Sequence, residues 1–114
     1  MIDLKGMTIE KAQAGFSSGE FSALDLAKAY AEEAKQKNKE VNAYLEIFED
    51  FEEQAKRADE MITKGEIKPL TGIPVALKDN ILFEGHKSSA SSKILENYKA
   101  VYDSTVVKDL KDQG

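Results

Sequence analysis

The residue with the clearest chemical potential is Lys78. It closes an apolar run, Val75, Ala76 and Leu77, within LTGIPVALKDNI, Leu70 to Ile81. The carboxyl end of a buried strand is where α/β sheets place their sites. Burial disfavours a charged amine, so a lysine in such a place can act as a base toward a serine hydroxyl when neutral and as a proton donor when charged. The competing reading is a strand-end lysine whose head simply reaches solvent, and spacing alone leaves both open. A self-contained serine-x-x-lysine pair is absent, because the positions three before Lys78 and Lys93 are Val75 and Ala90. His86 is the sole histidine and has no carboxylate three or four residues on, so it reads as an exposed loop residue rather than a metal ligand. The pairs Glu32–Glu33 and Glu52–Glu53 sit on predicted helices, where adjacent side chains point about 100° apart and do not converge. Asp79 and Asn80 fit a turn behind Lys78. No glycine-rich phosphate loop is present, and the expectation is no cofactor and no metal.

Several elements must position that lysine. TIEKAQAGF, with Thr8 as cap, predicts a short helix ended by SSGE. Ser22 with Asp25 forms a capping-box variant ahead of Ala23, Leu26, Ala27, Tyr30 and Ala34, which predicts a helix over about 23–37. Ala43, Leu45 and Ile47 alternate with Tyr44, Glu46 and Phe48, which predicts a strand near 42–48. Asp50 with Glu53 reads as a second box, opening a helix that Gly65 stops. A second strand is predicted near 73–78, with Pro74 tolerated at its start. NILFEGHKSSASS reads as a loop, SKILENY as one helical turn, and DSTVVKDLKDQG as a helix capped by Asp103 and stopped by Gly114.

The resulting class is α/β, with helices and an incomplete sheet of few strands. Two strands make a marginal sheet, so the pattern implies that the chain is truncated or that something else completes the sheet. An open edge of that kind is a template for pairing, which gives a homo-oligomer as one expected partner arrangement. At 114 residues the expectation is one domain and no separate second one. The net charge of −5, with lysines interleaved among acids, argues against direct nucleic-acid binding. The absence of cysteine excludes disulfides and thiolate chemistry. No segment approaches the roughly 20 apolar residues of a membrane span, nor does the start resemble a signal peptide, so a cytoplasmic protein without membrane contact is expected.

Three blocks in order, PLTGIPVALKDNI, SSASSKILENY and YDSTVVKDLKDQG, resemble the amidase signature family. GIPVALKDN is the family-wide piece, while SKILENY followed by an Asp-led helix is more particular to the family's amidotransferase A subunits. The resemblance runs through nearly the whole chain and implies that residues 1–114 are the N-terminal portion of an amidase-signature domain. It further implies a serine–cis-serine–lysine triad in which Lys78 is the ultimate base. The Gly/Ser-rich segment that carries both triad serines in the family has no counterpart here. Ser88, Ser89, Ser91 and Ser92 fall in a different loop and are not read as nucleophiles, and where many relatives write CASKI this chain has Ala90 or a neighbouring serine. The implied partners are B-type and C-type amidotransferase subunits, with glutamine as the amide substrate. The isolated chain is expected to be inactive. The alternatives are a non-enzymatic self-associating or partner-docking module, and a fragment of a stand-alone amidase acting on small amides.

Overall fold

The computed structural model describes residues 2–114. Among them lie four α-helices, α1 (Ile9–Ser18), α2 (Ala23–Val41), α3 (Phe51–Thr63) and α4 (Thr105–Gln113), and a 3₁₀ turn over Lys93–Leu95. The residues divide into two compact units. One takes in the chain up to Pro74 together with Gly114, and the other is Val75–Gln113.

The first unit is built from α1, α2 and α3. Thr8 caps α1 as its sequence suggests, its hydroxyl accepting the Lys11 N–H at 3.2 Å. The Ser22–Asp25 box is reciprocal: Asp25 N–H donates to the Ser22 hydroxyl at 3.0 Å and Ser22 N–H donates to the Asp25 carboxylate at 2.9 Å. The second expected box does not form. Asp50 has φ −84° and ψ 7°, not the extended backbone that turns a cap side chain back onto the helix, and its carboxylate instead accepts from Gln54 Nε2 at 3.1 Å. Gly65 ends α3 in the left-handed conformation, with Gly65 N–H on the Ile62 carbonyl and Glu66 N–H on the Met61 carbonyl, the paired bonds of a Schellman stop. Ala12, Phe16, Ala23, Leu26 and Ala58 form the buried core, and α2 packs on α3. Gly72 lies against this core at φ 78°. A Cβ there would stand 3.0 Å from both Ala23 Cβ and the Phe16 ring, so only glycine lets the backbone pass.

The fold class expected from the sequence is corrected here: the described residues contain no strand and no sheet. The segment 42–48 fails because a strand needs a backbone partner and finds a side chain instead. Tyr44 N–H donates to Asn38 Oδ1 at 2.8 Å, and the Tyr44 carbonyl accepts from Asn38 Nδ2 at 2.9 Å. Helix α2 runs on to Val41, past the expected end near 37, and Asn42 closes it at φ 50°. The alternating apolar residues bury no face, and Leu45 is 69% exposed. The segment 73–78 is neither strand nor helix, and Val75 is 56% exposed. An apolar run of this kind becomes a strand only where neighbours cover its faces and share its hydrogen bonds. Among the described residues there is therefore no open sheet edge for a second copy to extend.

The second unit, Val75–Gln113, is held by turns and one short antiparallel approach. Gly85 N–H donates to the Ala100 carbonyl, Ala100 N–H to the His86 carbonyl and Ser88 N–H to the Tyr98 carbonyl, around an isolated bridge between Lys87 and Lys99. Helix α4 is capped by Ser104, whose hydroxyl accepts the Val107 N–H at 3.2 Å. Asp103, the expected cap, reaches elsewhere: its carboxylate accepts Glu84 N–H at 2.8 Å and the Lys111 ammonium at 2.7 Å. That ammonium also lies 4.4 Å from the centroid of the Phe83 ring.

Candidate active site

Lys78 lies near the start of the second unit and opens a tight turn, its carbonyl accepting the Ile81 N–H at 2.9 Å. The residue is exposed, and its ammonium makes no hydrogen bond or ion pair among the described residues. The strand expected to bury it is not formed, so the apolar run before Lys78 does not enclose it.

The next residue along the chain is tied down tightly. Asp79 accepts five hydrogen bonds from the loop 88–91. Its backbone carbonyl takes the Ser88 hydroxyl at 2.9 Å and the Ala90 N–H at 3.3 Å. Its carboxylate takes the Ser89 N–H at 3.2 Å, the Ser91 N–H at 3.3 Å and the Ser89 hydroxyl. The Ser89 hydroxyl, followed by the loop amides, holds the Asp79 carboxyl below the usual carboxylate range against the opposing effect of burial. Two consecutive residues of the loop, Ala90 at φ 49° and Ser91 at φ 58°, adopt the left-handed conformation that costs a side-chain-bearing residue roughly 1–2 kcal/mol. The bonds to Asp79 compensate that cost.

Two serines of the loop, Ser88 and Ser89, are therefore engaged rather than poised. Ser88 and Ser89 are buried, and both hydroxyls donate to Asp79. A hydroxyl committed as donor to a carboxylate or carbonyl is not aimed at a substrate. His86 packs its ring edge-on against Phe83 with centroids 4.6 Å apart, and its Nδ1 lies 3.0 Å from the Glu84 carbonyl. No three His, Cys, Asp or Glu side chains gather as a metal site among the described residues. No described helix is long and apolar enough to cross a membrane.

Sequence reasoning placed Asp79 in the turn behind Lys78 and missed its reach to the serine loop. The signal was an acid beside the lysine with SSASS some ten residues on. Nothing in spacing alone distinguishes a side chain bonded across a loop from one bonded within its own turn.

Comparison with known proteins gives a consistent picture. The family model described as Amidase matches residues 25–114, which include Lys78, Asp79 and the serine loop. The glutamyl-tRNA(Gln) amidotransferase A subunit of Thermoanaerobacter pseudethanolicus is 44% identical over 114 residues, covering 99% of this chain and 23% of the relative. Its namesake from Caldanaerobacter subterraneus subsp. tengcongensis is 43% identical with the same coverage. That of Francisella philomiragia is 41% identical over 107 residues, or 93% of this chain and 22% of the relative. The chain thus spans less than a quarter of the length of these curated relatives. Since the match takes in all of the chain from Asp25 onward, the chain belongs to the amidase family.

Proposed function

We propose that this chain contributes the base lysine, Lys78, to an amide-hydrolysing site of the amidotransferase A-subunit type, whose attacking serine is supplied by polypeptide other than these 114 residues. The observation that supports it most is similarity over 93–99% of the chain to amidotransferase A subunits. In this reading a serine hydroxyl attacks the side-chain amide carbonyl of glutamine. Neutral Lys78 accepts the hydroxyl proton through the relay serine, and that proton returns to the departing nitrogen. The C–N bond breaks, ammonia leaves, and water then hydrolyses the acyl-enzyme. B-type and C-type subunits receive the ammonia for Glu-tRNA(Gln), in the cytosol where aminoacyl-tRNA is used. An exposed Lys78 leaves its side chain open to polypeptide outside these 114 residues, as this reading requires.

The 114-residue chain alone is expected to release no ammonia from glutamine above a protein-free control; turnover would overturn the incompleteness. A hybrid in which residues 1–114 replace the matching region of the Thermoanaerobacter relative, assembled with its partner subunits, is expected to hydrolyse glutamine. There Lys78→Ala is expected to lower kcat on the order of 10⁴-fold or more. A folded, assembled hybrid that keeps its rate after that substitution sinks the proposal. Simple aliphatic amides in the same assay separate an amidotransferase from a small-amide amidase.

A docking module without chemistry of its own is the second reading. It is favoured by Ile94, Val101, Tyr102 and Val106, which are 94%, 71%, 59% and 55% exposed. Under that reading Lys78→Ala leaves the hybrid's turnover intact, whereas polar substitution of those four side chains abolishes assembly.

A further inference from the structure

We propose that Asp79 is the positioning residue of Lys78: by clamping the serine loop 88–91 it fixes the backbone from which the lysine projects. The inference deepens the reading of Lys78 as a base and rests on it only for its consequence in catalysis. The asymmetry around Lys78 carries the argument. On its amino-terminal side, residues 73–78 belong to no regular element. On its carboxyl-terminal side, the next residue accepts five hydrogen bonds from one loop, and the turn from Lys78 to Ile81 adds a sixth bond to the local frame. The hydrogen bonds nearest the lysine therefore come from its carboxyl-terminal side, through Asp79.

The carboxylate serves both ends of this arrangement. It bonds two loop amides and one hydroxyl, so its charge is directed at the loop rather than at the ammonium beside it. Asp79 and Lys78 are adjacent yet form no ion pair. A direct pair would turn the amine back on its own chain, away from any hydroxyl supplied from outside. Turning the carboxylate toward 88–91 keeps the lysine unpaired. The same bonds make Ala90 and Ser91 tolerable in their left-handed conformation, so the loop and the lysine backbone are one mechanical unit.

The carboxylate can be tested in the chain itself. Asp79→Asn keeps the shape of the side chain and one acceptor oxygen but removes the charge. Exchange of the Ser89 and Ser91 amides is expected to speed by about tenfold or more. ¹⁵N relaxation is expected to show lower backbone order at Lys78 and Asn80, with α1, α2 and α3 unchanged. Ser89→Ala, which removes one bond from the loop side, is expected to act in the same direction with smaller effect and serves if Asp79→Asn fails to fold. Undiminished protection of the loop amides, or a loosened loop with Lys78 as ordered as before, overturns the proposal.

In the hybrid enzyme, Asp79→Asn is expected to lower kcat by about tenfold or more while KM for glutamine stays within about twofold, with part of the rate restored by Asp79→Glu. A rise in KM at constant kcat overturns the positioning role. Retention of activity in Lys78→Ala refutes the functional reading instead, and leaves the clamp to be decided by exchange and relaxation.

Discussion

Replacing Asp59 with alanine asks how the longest helix is started. Helix α2 has its own local cap in Ser22 and Asp25, but its first two amides are bound from far along the chain. Asp59, on α3, accepts Ala23 N–H at 2.7 Å and Leu24 N–H at 3.1 Å, across 36 and 35 residues. One carboxylate on α3 therefore caps a second helix of the same unit. Hydrogen bonds to a charged group contribute about 1.5–3 kcal/mol each, and a carboxylate at a helix start adds about 0.3–1 kcal/mol. Leu24 is partly exposed, so its amide can rehydrate. Ala23 is 0% exposed, and its amide would be left without a partner at a cost of about 1–3 kcal/mol. The two effects overlap, and we expect Asp59→Ala to destabilise the unit by about 2–4 kcal/mol. For a unit of this size that lowers the melting temperature by roughly 10–25 °C. Urea unfolding followed by circular dichroism at 222 nm measures it, with Ser22→Ala as the local comparator at about 1 kcal/mol. A loss below about 0.5 kcal/mol, or one no larger than that of Ser22→Ala, would refute the view that the long-range cap dominates.

Lys78→Ala in the chain alone is expected to leave stability within about 0.5 kcal/mol, because the exposed ammonium has no partner to lose; chemical denaturation checks this. Acid is expected to destabilise both units. Ser22 N–H holds the Asp25 carboxyl below its ordinary value, the Ser89 hydroxyl does so for Asp79, and the Lys111 ammonium for Asp103. Each folded-state pKa lies under its unfolded one, so this stability is complete above about pH 4 and is lost as pH falls through the lowered values. Melting curves from about pH 6 down to about pH 2 report it, and Asp79→Asn should flatten the acid limb of Val75–Gln113. Gly15→Ala is expected to destabilise despite the better helix propensity of alanine, worth up to about 1 kcal/mol, because the new Cβ would overlap the Phe21 ring. A higher melting temperature in that variant would show that the ring moves aside freely.

Several helix starts and stops were legible because their determinants lie within a few residues, whereas α2 runs to Val41, past its expected end near 37. Thr8, the Ser22–Asp25 box and Gly65 all do what their neighbours in sequence require. Asp50 and Asp103 show the limit of that locality. Each looks like a cap, yet backbone angle decides against the first, and the Glu84 amide and Lys111 ammonium claim the second. The two expected strands failed for a related reason. Periodicity reports which faces could be buried, not whether a neighbour exists to bury them, and at Tyr44 a single asparagine side chain took the place of a partner strand.

Taken alone, the amino-acid order determined the helices, the lysine after its apolar run and the motifs that resemble the amidase signature family. Tertiary structure decided that Lys78 stands in solvent, that Asp79 binds the serine loop and that Asp59 starts α2. The reason is physical. Propensity and capping act over one turn of chain, whereas burial and the choice among hydrogen-bond partners depend on residues brought together from tens of positions away.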